Sequence, residues 1–220
     1  MKKIMFNDKM CLTQAVIEGR KTQTRRVITY PKTFHGKDVC GYYVYRRATD
    51  RAITEVCMYD ENEMPIDEGQ ILPKYMPSEV IAVAQSYNSL GYNPGALDIS
   101  PKNWRVVRGI LGQSKGWNNK MFVRAEACKH KIRITDVRVE RLQDITDECC
   151  LKEGVMKDTC KTYFNGYTVK FSLDQYGNML SSNWFKIPRE AFAHLINKVS
   201  KKDVWAENPY VFVYDFELVR

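Results

Sequence analysis

Residues 131–142, KIRITDVRVERL, set Ile132, Ile134, Val137 and Val139 against Arg133, Thr135, Arg138 and Glu140. A period of two belongs to a strand with one face on a core and the other in a polar setting. The phase slips once near Asp136, which predicts a β-bulge that absorbs one extra residue. Segments rich in β-formers recur along the chain at 2–6, 21–29, 40–47, 53–60, 79–87, 120–128 and 208–219. The pair at 40–47 and 53–60 reads as a hairpin, and TVKFSLDQYGNML (168–180) as another around Tyr176, Gly177 and Asn178. Residues 60–78 are acidic with Pro and Gly and read as a loop.

Helical signals are few. Asp8 is placed to cap a helix over 9–18 that ends at Gly19, and Thr146 to cap DECCLKEG, which ends at Gly154. PREAFAHLINKV (188–199) has Pro in its first turn and apolar residues at 192, 195, 196 and 199, an amphipathic pattern. The expected class is mainly β with some α+β character: a small barrel or strongly bent sheet with short flanking helices.

With 220 residues the chain is long enough for one sizeable core. Its 34 Lys and Arg against 26 Asp and Glu leave a formal charge of +8, which suits an anionic partner such as RNA or DNA, or simple solubility. Seven cysteines are scattered without a C-x-x-C pair, and the three histidines are far apart. No metal site, disulfide framework or cofactor is expected. Asn7, Asp8 and Lys9 interrupt any apolar run after Met1, so no signal peptide is expected, and nothing approaches the ~20 apolar residues of a membrane span. The expected setting is the cytoplasm, with reduced thiols.

EGRKTQTRRV (18–27) crowds Arg20, Lys21, Arg25 and Arg26 among Thr22, Gln23 and Thr24. On a strand, Lys21, Gln23 and Arg25 face one way and Thr22, Thr24 and Arg26 the other. Two readings stay open: an exposed charged edge that deters aggregation, or the wall of a site. Arginine is suited to phosphates and base edges, and a lysine among cations loses part of its preference for the charged form. Glu153 stands where a helix C-terminus disfavours a carboxylate, with Lys152 beside it. Trp104, Trp117, Tyr87, Tyr92 and Phe122, near Arg105, Arg108, Lys115 and Lys120, either stack an unpaired base or anchor a long loop.

Together EGRKTQTRRV, EVIAVAQSY, IRITDVRVERLQDIT, DECCLKEG and PYVFVYDFELV resemble the ASCH domain family, a branch of the PUA-like β-barrels, over about half of the chain. The longer form, with VAQSY and GWNNKMFVRAE, is similar to ASCH-type proteins carried by phages and integrated elements. The resemblance implies one PUA-like barrel with insertions at about 30–75, 88–119 and 155–187, and a role with RNA, DNA or a modified nucleoside. Some small members hydrolyse the amide of acetylcytidine, with a catalytic lysine, threonine and glutamate that fall here on Lys21, Thr24 and Glu153. The alternative is a non-catalytic nucleic-acid-binding module, using Arg20, Thr22, Arg25, Arg26, Trp117 and Lys120. A protein-binding accessory factor is a third class.

Overall fold

The computed structural model describes residues 1–90, 115–158, 166–169 and 183–219. Thirteen strands lie among them: β1 (Lys3–Ile4), β2 (Gln23–Val27), β3 (Thr33–Phe34), β4 (Lys37–Asp38), β5 (Gly41–Arg46), β6 (Ile53–Tyr59), β7 (Pro65–Gln70), β8 (Val80–Val83), β9 (Lys131–Arg141), β10 (Met156–Asp158), β11 (Gly166–Thr168), β12 (Trp184–Phe185) and β13 (Tyr210–Val219). The helices are α1 (Leu12–Ile17), α2 (Tyr87–Leu90), α3 (Lys115–Asn118), α4 (Asp147–Lys152), α5 (Pro188–Ser200) and α6 (Val204–Glu207). The fold is mainly β with short helices.

The central sheet has five strands in the order β1-β8-β9-β13-β2. Only β1 and β8 run parallel; the other pairs are antiparallel. The alternation in β9 predicts its two faces, and the bulge keeps them consistent. Ile132 and Ile134 pair with Leu218 and Phe216, and beyond the shift Val137 and Val139 pair with Tyr214 and Phe212. Thr135 has no partner in that register. Without the extra residue the two valines would fall on the opposite face from the two isoleucines. This apolar face holds the core with Ile4, Phe6, Ile81 and Val83.

The opposite face carries Gln23, Arg25, Arg138, Glu140 and Asp215 around Val211 and Val213. Amphipathic α5 buries Ala191, Phe192 and Leu195 and packs on α4 and on β11 and β12. The Arg25 guanidinium lies 5.9 Å from the Phe192 ring centroid, which places α5 on this side of β2.

The structure differs from the sequence expectations in four places. The five strands form an open sheet, and no closed barrel is found among the described residues. Its edges are β1, two residues long, and β2. A side chain joins them, because Arg26 donates to the Met5 carbonyl at 2.6 Å. Residues 60–78 contain β7, which packs Ile66 and adds an outer strand to the β5–β6 hairpin. Such an edge tolerates Pro and charge, which is why composition reads it as a loop. Residues 120–128 form two 3-10 turns, Lys120–Phe122 and Ala125–Ala127, instead of a strand. The Asn119 side chain caps the first by accepting from the Met121 N–H at 3.0 Å. In α1 the cap position is Cys11, at φ 50°, while the Asp8 carboxylate accepts from the Thr13 hydroxyl at 2.5 Å. The hairpin expected at 168–180 lies largely outside the described residues.

Candidate functional site

The EGRKTQTRRV stretch crosses from α1 into β2 through a tight junction. The Arg20 and Lys21 amides both donate to the Ala15 carbonyl at 2.9 Å, and the Thr22 amide donates to the Lys152 carbonyl at 3.0 Å. The last bond ties the junction to the C-terminus of α4. The helix itself starts at Thr146, whose hydroxyl accepts from the Cys149 amide at 3.2 Å, as the sequence predicts. It ends at Glu153 and turns at Gly154, whose φ of +107° is ground that other residues rarely adopt. A Cβ on Gly154 would also sit 3.1 Å from Leu12 Cδ2.

This junction brings Lys21 and Glu153 together. Lys21 Nζ donates to Glu153 Oε2 at 2.6 Å and to the Glu153 carbonyl at 2.8 Å. One amine thus neutralises the carboxylate and caps a helix end, where a cation is favoured. Lys152, the neighbour expected to offset Glu153, pairs with Glu148 instead, at 2.7 Å. The other Glu153 oxygen accepts from Arg25 at 3.1 Å. Arg25 also donates to Gln23 Oε1 at 2.6 Å and through Nε to Glu140 Oε1 at 3.2 Å. Gln23 continues the network to Asp215 at 2.6 Å, and Arg138 pairs with both Asp215 and Glu140.

The third hydrogen bond of the Lys21 amine goes to the Gln23 carbonyl at 2.7 Å. The Thr22 carbonyl accepts from the Phe216 amide on β13, so the next carbonyl along β2 points the other way, to the free edge of the sheet. The amine therefore sits at that edge, level with the peptide leading into Thr24. Glu153 and Arg25 lie on one side of it, and the Phe6 ring centroid is 5.8 Å away. Thr24 faces the apolar side, opposite Tyr214 in the register. Its hydroxyl makes no hydrogen bond among the described residues.

Lys21 is 2% exposed and Glu153 4%. Burial pulls the Lys21 amine below its ordinary 10.5, with Glu153 opposing the shift. For Arg25 burial also works against the charge, but Glu153 and Glu140 outweigh it and raise the value. Cys150, buried in α4, is pushed up by burial to about 12 and is no nucleophile at neutral pH. No group of His, Cys, Asp and Glu suited to a metal exists among the described residues. None of their helices is long and apolar enough to cross a membrane.

The residues expected to hold nucleic acid are not gathered on one surface. Arg20 pairs with Glu18 at 2.6 Å. Thr22 is half-buried in the junction. Arg25 is enclosed by carboxylates, while Arg26 is exposed on the Thr24 side. Trp117 packs against the cluster of Ala82, Tyr87 and Val123, an anchoring role. Lys120 donates to Asp8 at 2.7 Å, to Thr13 at 3.1 Å and to the Phe6 carbonyl, so it ties the N-terminal segment down. Glu140, Asp215 and Arg138 were not foreseen. Their signal was weak: charges at alternate positions of strands whose register the sequence does not reveal.

No family model matches the chain, and no curated protein or solved structure is matched.

Proposed function

We propose that this is a PUA-like protein of ASCH type directed at nucleic acid or nucleotides, with a hydrolytic site for an acylated nucleobase amide such as acetylcytidine. The observation that carries the reading is the buried contact between Lys21 and Glu153. An amine taken out of water loses its proton more easily, which is what a general base near neutral pH requires. Arg25 holds the second carboxylate oxygen and thereby orients Glu153.

In this scheme Lys21 acts in its uncharged form, which keeps only two of the three donated hydrogen bonds above; Thr24 attacks the amide carbonyl while the Lys21 lone pair accepts the hydroxyl proton. The tetrahedral intermediate collapses by breaking the C–N bond. The departing nucleobase amine receives a proton relayed through Lys21 and Glu153. Water then cleaves the threonine ester, releases the carboxylic acid and restores the hydroxyl. The strand-edge position of the amine supports this assignment, because the edge adjoins both the Glu153 side and the Thr24 side. The centre is closed over, so the scheme requires its cover to open for substrate.

The competing reading, a non-catalytic strand-binding module, loses support from Arg25, Lys120 and Trp117, which are engaged within the protein. The deciding experiment is incubation with acetylcytidine, following release of cytidine by chromatography. Turnover that disappears in Lys21→Ala and in Thr24→Val is expected. Absence of turnover in the folded protein, or turnover indifferent to Lys21, overturns the reading.

A further inference from the structure

A concavity lies on the Thr24 side of β2, apart from the Lys21–Glu153 contact. It is about 290 Å³ in volume and runs between β1, β2, β13 and the segment after β7. Phe212, Tyr214 and Tyr75 form its buried floor, with Leu72 at the rim. The two tyrosine rings meet edge to face with centroids 5.4 Å apart. Their hydroxyls are already engaged: Tyr75 donates to the Lys3 carbonyl at 2.9 Å, and Tyr214 accepts from the Lys74 amide at 3.0 Å. The rings are therefore fixed, and the surface they offer is apolar, with the two tyrosine planes set at 72° to one another.

The mouth is cationic. Arg26 and Lys74 both line it, and both are exposed. Arg26 uses one nitrogen on the Met5 carbonyl and faces no carboxylate among the described residues. Lys74 likewise has no ion pair among them; its ammonium lies 5.6 Å from the Tyr75 ring centroid. Lys3, also in the lining, gives its amine to the carbonyls of Lys120, Met121 and Val123, so its charge too is left without a carboxylate. No Asp or Glu lines the cavity. An anion placed there meets positive potential and an arginine with free donors.

We propose that this cavity binds a pyrimidine nucleoside monophosphate, its ring on the Tyr75, Tyr214 and Phe212 floor and its phosphate between Arg26 and Lys74. The volume limits the size: at about 290 Å³ it lies just below the ~300–1,000 Å³ typical of ligand sites, which suits a single ring. Phosphate supplies the anion that two unneutralised cations call for, and fixed aromatic walls bind a ring without ordering themselves first. This inference concerns residues separate from the hydrolytic reading and does not rest on it.

The test is calorimetric titration of the full chain at low salt with uridine monophosphate, uridine and inorganic phosphate. UMP is expected to bind at least about tenfold tighter than either part, and more weakly as salt rises. Arg26→Gln and Lys74→Gln are each expected to weaken UMP by about tenfold, and Leu72→Asp, which adds a carboxylate at the exposed rim, by more. Lys202→Gln, a lysine at the far end of α5, serves as the control and leaves UMP binding unchanged. All four side chains are exposed, and retained melting temperatures confirm folding. UMP binding no tighter than uridine, equal loss in the Lys202 variant, or binding of a phosphorylated trinucleotide without binding of UMP overturns the proposal. The readout is affinity alone, so absence of acetylcytidine turnover leaves this result standing.

Discussion

Lys21 Nζ and Glu153 Oε2 lie 2.6 Å apart although 132 positions separate the residues in the chain. The contact joins the α1–β2 junction to the end of α4, and Arg25 shares the carboxylate. Removing one partner leaves a buried charge incompletely paired, whereas removing both leaves only Arg25, which keeps its pair with Glu140. Lys21→Met is therefore expected to cost about 3–5 kcal/mol. The pair Lys21→Met with Glu153→Gln should cost less than the sum of the single changes by about 1 kcal/mol or more. Urea denaturation of the four proteins measures the coupling, and additive costs would show that the contact contributes nothing.

The same lysine sets a pH dependence. Burial lowers its folded-state pKa below 10.5, so over that interval the unfolded chain holds a proton that the folded chain has lost. Below the folded value the charged amine carries its full burial penalty. Stability from this group then rises with pH until 10.5 is reached. Denaturation midpoints measured across this range should contain a rising component that Lys21→Met abolishes. A falling component would reverse the assigned direction. If Lys21 is the base, hydrolysis should climb as the folded-state amine loses its proton, below 10.5.

Thr146→Ala removes the cap of the helix that presents Glu153. A loss of about 1 kcal/mol is expected in urea denaturation. Thr146→Ser should recover most of it, since serine keeps the accepting oxygen.

Gly154→Ala forces a side chain onto a φ of +107° and against Leu12. The expected cost exceeds about 1 kcal/mol, read as a lowered melting temperature. A neutral result would mean that this turn relaxes freely.

Cysteine reactivity should divide by burial. Cys40 is exposed, while Cys57 and Cys150 are buried, with thiols raised to about 11 and about 12. Brief treatment of the native protein with iodoacetamide at pH 8, followed by mass spectrometry, should label Cys40 and spare the other two. Labelling of Cys150 at the rate of Cys40 would show that the region around α4 opens readily.

Local signals carried the strands and helices whose patterns are short-range. Alternation marked β9 and its bulge, β-formers marked the β5–β6 hairpin, and Thr146, Gly154 and Pro188 marked helix boundaries. Each depends on neighbours within a few residues, so a single sequence suffices to read it. Composition misleads where a partner elsewhere in the structure overrides it. Acidic β7 becomes a strand only because β6 offers it an edge, and 120–128 curls into turns because Asn119 caps it and Lys120 is drawn to Asp8.

The chain alone therefore determined the mainly β character, the two-faced strand β9 and the presence of Lys21, Arg25 and Glu153. Tertiary structure decided that these three share one buried cluster with Glu140 and Asp215 beyond it, that the five-stranded sheet is open among the described residues, and that Arg26 parts from Arg25 to face an aromatic cavity. Periodicity tells which way a side chain points, but the charge it meets depends on strand register and on contacts across more than a hundred residues.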